Sequence, residues 1–289
     1  MENLPMRLRP ATTFAALLLM GLPATVSAQE APLRTALDGT FAPHAMPTMS
    51  GGVEGFNVDL VNLIGERLGR EVELTSAQFS GLIPALQAGT FDFLAAPVTV
   101  NEERAANLLF TEGFMDTNFA FVVPTDAPEY ADLDAFRGKT IAVNRGSAYD
   151  SYLAERADEY GWTVESYGTN SDAVAAVLSG RADANLAGAT VAAWAAQKNP
   201  QLALSYEIET GLVWALSFRQ DSTEMRDLVD RAIECLKIDG SMAELSQKWF
   251  GVEPTTGATI VTPTPGFGVP DFPGYAEDDH QPSCDGLAS

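Results

Sequence analysis

The sequence predicts an α/β protein of two lobes, each a mostly parallel sheet flanked by helices. Two observations carry that expectation. Short apolar runs alternate with helical stretches from Leu33 to Arg104 and again from Thr140 to Gln197, the rhythm of βαβ units, and a Pro- and Asp-containing break from Pro124 to Pro128 divides them. The chain is also long enough for two cores, with 289 residues, 46% of them hydrophobic, and no repeat of fixed period.

The first 28 residues read as a leader. Arg7 and Arg9 precede an apolar run from Ala11 to Leu22, and Pro23 with Val26-Ser27-Ala28 supplies the features of a cleavage site. Residues 1–28 are therefore expected to be a signal peptide cut near Ala28, with the remainder exported. No later stretch reaches the roughly 20 apolar residues that a membrane-spanning helix needs.

Leu33 to Leu37 is the first strand, and Asp38 to Met46 is a loop carrying Phe41, Pro43 and His44. Gly51-Gly52 marks a turn. From Val58 to Leu68 the apolar residues fall at 60, 61, 63, 64 and 68, one face of a helix that stops at Gly69, and Glu71 to Leu74 alternates as a strand. Leu82, Ile83 and Leu86 mark a short helix ending at Gly89. A strand through Phe91, Phe93 and Ala95 then leads to a loop with Thr99 and Arg104. Open α/β sheets place ligands at this carboxyl end, and a planar guanidinium with five N–H donors suits a carboxylate.

Phe119 to Val123 is an apolar strand before the break. The second rhythm has strands at Thr140 to Val143, Trp162 to Ser166 and Ala182 to Leu186, with helices from about Tyr149, at Asp172 to Leu178 and at Thr190 to Gln197. A strand from Gly211 to Phe218 and helices at Glu224 to Lys237 and Met242 to Trp249 close the regular part. Gly257 to Ser289 is rich in Pro, Gly, Asp and Thr without periodicity, the pattern of an irregular or disordered extension.

A net charge of −22 disfavours nucleic acid and anionic membranes as partners and favours solubility. Two cysteines, Cys235 and Cys284, in an exported chain are expected to form one bridge. With only His44 and His280 beside them they make no metal-ligand pattern, so no metal or cofactor is expected.

Six blocks bear on function: GFNVDLVNLIGERLGREVEL from Gly55, FSGLIPALQAGTFDF from Phe79, VTVNEERAANLLFTEGF from Val98, GKTIAVNRGSAY from Gly138, SGRADANLAG from Ser179 and IDGSMAELSQKWFG from Ile238. In order and spacing they resemble the periplasmic solute-binding proteins of ABC importers, family 3, the group that carries polar amino acids. The resemblance implies the two-lobed type II periplasmic binding fold with a two-strand hinge. Its lobe 1 would be 29–123 and 212–251, its lobe 2 would be 124–211, and 252–289 would be an extension. It also implies a monomer that captures a small carboxylate-bearing, amino-acid-like solute and delivers it to membrane permease subunits.

The same resemblance assigns roles to individual residues. Phe41, His44 and Phe79 would sandwich the ligand side chain. Pro97, Thr99 and Arg104 would supply a carbonyl, a hydroxyl and a guanidinium to the ligand's ammonium and carboxylate. Arg145, Gly146, Ser147 and Ala148, between a strand and a helix, would complete the carboxylate clamp, because the N–H groups at a helix start attract anions. The departure is Gly188, where amino-acid binders usually carry an Asp. Either another acid, Glu112 or Asp116, reaches in, or the ligand has no ordinary α-ammonium; Asn185 is a polar substitute earlier in the strand. Two other readings remain open. One is a dehydratase-type enzyme on this scaffold, against which there is no nucleophile and base at recognisable spacing. The other is an accessory or sensor partner protein that uses the tail as its contact.

Overall fold

The computed structural model describes Met1 and residues 31–288. The leader assigned to residues 1–28 lies, apart from Met1, outside the described residues. The elements in chain order are β1 (Leu33–Leu37), β2 (Met46–Pro47), β3 (Val53–Glu54), α1 (Phe56–Leu68), β4 (Val72–Ser76), α2 (Phe79–Gln87), β5 (Phe93–Thr99), α3 (Glu102–Ala105), β6 (Leu109–Phe110), β7 (Met115–Asp116) and β8 (Phe119–Pro124). They continue with β9 (Thr140–Asn144), α4 (Ala148–Tyr160), β10 (Thr163–Tyr167), α5 (Asn170–Leu178), β11 (Ala184–Gly188), α6 (Ala189–Lys198), β12 (Leu202–Ile208), β13 (Val213–Phe218), α7 (Thr223–Ile238) and α8 (Ser241–Phe250).

Two sheets organise these elements, ordered β4-β1-β5-β13-β6, with β7 also on β13, and β10-β9-β11-β8-β12. Each has three parallel strands extended by antiparallel ones. The antiparallel strands adjoin the two crossings between sheets, so they enter from the opposite end. Crossing segments near Thr117 and Thr210 bond to each other: Thr210 Oγ1 donates to Thr117 O at 2.7 Å and Thr117 N to Leu212 O at 2.9 Å. This corrects one boundary. Ending the first lobe at residue 123 placed residues 119–123 there, whereas β8 pairs with β11 and β12 in the second sheet. An apolar strand carries no mark of which sheet it joins, and the proline break follows the crossing.

Local chemistry explains the element ends. Gly55 precedes α1 at φ 149°, and a side chain there would run into the His44 carbonyl, so the turn requires glycine. Phe56, Leu60, Val61 and Ile64 then form the buried face of α1. The strand expected around residues 91–95 runs further, to Thr99, and is buried throughout. Pro97 is tolerated inside it because the pairing with β13 changes register across this stretch. β12, absent from the sequence reading, is a half-exposed edge strand with polar residues in its alternation.

The tail is irregular but packed. Residues 252–288 contain no helix or strand beyond one bridge between Phe267 and Ala276. Tail backbone atoms meet buried charges of the first lobe. Asp230 accepts from Gly268 N at 2.7 Å, Glu112 from Thr264 N at 2.6 Å, and Arg226 donates to Gly274 O at 2.9 Å. Cys235 and Cys284 are bridged across a sequence separation of 49. Closing a loop of this size stabilises by about 4 kcal/mol in the chain-entropy model. Cys284→Ser is accordingly expected to lower unfolding stability by about 2–4 kcal/mol in urea titrations, and reduction of the native protein should do the same.

Candidate binding cleft between the two sheets

The carboxyl ends of β1, β5 and β9 converge, and each is followed by residues that line one cavity. The cavity measures about 20 Å³, room for roughly a water or two. Of the residues singled out from sequence, Phe41, His44, Phe79, Pro97, Thr99, Arg104, Ser147 and Ala148 line it.

Arg104 spans the two lobes. The Asn101 side chain caps α3 by accepting from Arg104 N at 2.9 Å, which fixes the start of the side chain. Nη1 donates to Thr99 O at 3.1 Å and Nη2 to Gly146 O, across the cleft, at 3.1 Å. The Phe79 ring lies 5.7 Å from the guanidinium. Burial lowers the Arg104 pKa, while Tyr149 and Glu103 act in the opposite direction. Among the described residues no carboxylate forms a salt bridge with it.

The turn at 145–148 differs from expectation in two ways. Arg145 is exposed and donates to Ser166 O at 2.7 Å, away from the cavity lining, because its side chain follows β10. Arg145 N donates to Tyr167 O at 2.8 Å, Gly146 N to Asp150 Oδ2 at 2.8 Å and Ser147 N to Asn144 O at 3.2 Å, so the first three amides of the turn are already satisfied. Ser147 caps α4 as expected, accepting from Asp150 N at 3.1 Å. What remains for an anion is the N–H groups of Ala148 and Tyr149 at the start of α4, since Asp150 N is capped and Ser151 N donates to Ser147 O at 3.3 Å.

Gly188 is buried beneath Trp214 and does not line the cavity. A Cβ there would sit 2.5 Å from Trp214 Cζ2 and 3.0 Å from the Tyr149 hydroxyl oxygen. Trp214, 1% exposed, donates from Nε1 to Thr99 Oγ1 at 3.1 Å and meets His44 edge-on at 4.7 Å. The two acids considered as substitutes are elsewhere. Glu112 is fully buried against Lys237 at 2.9 Å, and Asp116 accepts from Thr259 at 2.6 Å. Asn185 donates to Ala142 O at 3.0 Å inside the second sheet.

The profile of bacterial extracellular solute-binding proteins, family 3, matches residues 33–252. The chain belongs to that family. This family 3 binding protein is 25% identical to the L-arginine-binding protein of Pseudomonas aeruginosa over 82% of its own length and 94% of the relative. It is 28% identical to the arginine-binding periplasmic protein of Mannheimia haemolytica, over 81% and 96%. Among solved structures, an ancestral arginine-binding protein bound to arginine superposes with TM-score 0.74 at 29% identity, covering 77% of this chain and all of the other. An ancestral amino-acid-binding protein that is a precursor of cyclohexadienyl dehydratase gives 0.69 at 26% identity, covering 76% and 95%.

Three polar lining residues of the family 3 protein escaped the sequence reading, Asp38, Asn144 and Tyr149, as did Trp214, which lies behind the lining. Asp38 and Asn144 could have been found from their place at strand carboxyl ends. Asp38 accepts from Phe79 N at 3.1 Å and from Thr40 N at 3.0 Å, while Asn144 leaves a buried Oδ1 unpartnered. Burial raises the Tyr149 pKa, so its phenol stays protonated. Trp214 reads as one more apolar residue of a buried strand.

His44 ties the lobes neutrally. Asn57 donates its amide to Ala95 O at 2.7 Å, which turns Oδ1 toward His44 Nδ1 at 2.9 Å and makes Nδ1 the protonated nitrogen. Nε2 then accepts from Thr190 Oγ1, on α6 of the other lobe, at 2.8 Å. Burial lowers the His44 pKa to about 4. The unfolded chain therefore binds this proton first as pH falls below the ordinary 6.5, and the stability present above that value is lost down to about pH 4. The loss amounts to about 3 kcal/mol. His44→Gln should lack this component, as the difference between wild-type and variant urea-unfolding curves from pH 7 to pH 4 will read.

Proposed function

We propose that this protein is the exported, periplasmic substrate-binding component of an ABC importer. It captures a small carboxylate-bearing, amino-acid-like solute by closing its lobes, and delivers it as a monomer to permease subunits in the membrane. The signal-peptide pattern ending near Ala28 supports export. The two bonded crossing segments at Thr117 and Thr210 offer a hinge.

One observation carries the reading: a guanidinium at the mouth of both lobes whose donors are met by carbonyls, with no protein carboxylate to neutralise it among the described residues. A solute carboxylate would supply that charge, replace the Gly146 carbonyl, and bind the closed form better than the open one. Relatives named as arginine-binding and cystine-binding proteins support a solute of this class. The dehydratase reading draws on one structural neighbour, but here the indole of Trp214 fills the place where an acid at position 188 would stand.

The test is a thermal-shift screen of the mature chain against amino acids, betaines and small carboxylates, with mass spectrometry of what co-purifies. A carboxylate at 100 times its dissociation constant should stabilise by about 2.7 kcal/mol. Stabilisation only by uncharged compounds would contradict the reading.

A further inference from the structure

We infer that the site selects carboxylates carrying no ammonium on the α carbon, and that Trp214, packed over Gly188, is the residue that sets this selection. The inference rests on the proposed reading of Arg104 as the carboxylate anchor. An α-ammonium lies one carbon away from the carboxylate it accompanies, so it must find its acceptors beside Arg104. Beside the guanidinium those acceptors are partly engaged, and the unpartnered one in the lining, Asn144 Oδ1, carries no charge. Thr99 O accepts from Arg104, and Thr99 Oγ1 accepts from Trp214 Nε1. Pro97 offers at most a carbonyl dipole. Position 188 has no side chain, and the indole edge occupies the space a carboxylate would need.

No carboxylate of the cavity lining acts on Arg104. The ionisable groups acting on Arg104 are Tyr149, held neutral by burial, and Glu103, which is exposed on α3. Glu112 and Asp116 are committed to Lys237 and Thr259. The carboxylate that does line the cavity, Asp38, sits after β1, accepts from the neutral donors of Thr40 and Phe79, and is not among the groups acting on Arg104. A buried ammonium without a counter-charge is strongly disfavoured, whereas a methylene at the same point meets an aromatic ring. Trp214 cannot readily swing away, since Phe41 and His44 pack edge-on against it and its N–H is bonded.

The test uses the mature protein and matched pairs differing only in the α-amino group: glutamate with glutarate, lysine with ε-aminocaproate, and leucine with isocaproate. Calorimetric titration should show, in at least one pair, the des-amino member binding at least about tenfold more tightly than its α-amino twin. The double variant Gly188→Asp with Trp214→Ala, which clears the space and supplies an acid, should reverse that order for the same pair. Circular dichroism of the variant controls for folding, and the wild-type panel stands without it. Equal or tighter binding of the α-amino members by wild type, with binding still abolished by Arg104→Ala, would overturn the inference and leave the carboxylate reading intact. Binding that survives Arg104→Ala, or no binding in any pair, would overturn both.

Discussion

Arg104→Ala is expected to abolish the thermal stabilisation that a carboxylate solute gives the wild-type protein. The fork sits where β5 ends and is aimed by the Asn101 cap, and its two bonded donors already reach one carbonyl in each lobe. Removing it from a desolvated carboxylate leaves that charge unpaired, a loss of about 2–5 kcal/mol, or roughly 30-fold to several thousand-fold in affinity. Arg104→Lys separates charge from shape: an ammonium keeps the charge but not the planar fork, so part of the stabilisation should return. The readout is the ligand-induced increment, because losing the Gly146 contact also shifts the baseline. An unchanged increment in Arg104→Ala would remove the residue from the site.

Lys237→Met should destabilise the fold more than any surface change, by about 3–5 kcal/mol, because it strands a buried carboxylate. Lys237 and Glu112 both have fully buried side chains and pair at 2.9 Å. Lys237 also donates to Gly113 O at 2.8 Å and Thr262 O at 3.1 Å, so the tail hangs partly on this ammonium. Burial raises the Glu112 pKa against the pull of Lys237, and burial together with Glu112 raises that of Asp230. Without the lysine, Glu112 rises further. A carboxylate with a raised folded pKa contributes stability at low pH and loses it as pH rises through that value, so the deficit should be smaller at pH 5 than at pH 8. Adding Glu112→Gln should recover much of the loss in urea titrations, and a double variant no better than the single one would contradict the account.

Which features were readable in the sequence follows from how local each signal is. The helix stop at Gly69, the Ser147 cap and the apolar strands are set by neighbouring residues, and the structure places them as read. Arg104, Phe79 and Thr99 could be picked out because the blocks around them are sequential. Sheet membership of β8 could not, since a strand buried on both faces looks the same in either sheet. Trp214 was hidden for a related reason. Only the packing shows that this core-like residue reaches back from β13 to cover Gly188 and occupy Thr99. The glycine was visible as a departure, but its cause lay 26 residues further along the chain. The tail's order was equally hidden, because it comes from buried charges in α7 rather than from any periodicity of its own.

The central claim is that an anion is gripped between the Arg104 fork and the start of α4. A crystal structure of the mature protein grown with the best carboxylate from the screen tests it most directly. The account predicts the carboxylate within hydrogen-bonding distance of both Arg104 Nη atoms and of a first-turn N–H of α4, with the Gly146 carbonyl displaced from the guanidinium. A carboxylate bound elsewhere, with Arg104 still resting on Thr99 and Gly146, would contradict it.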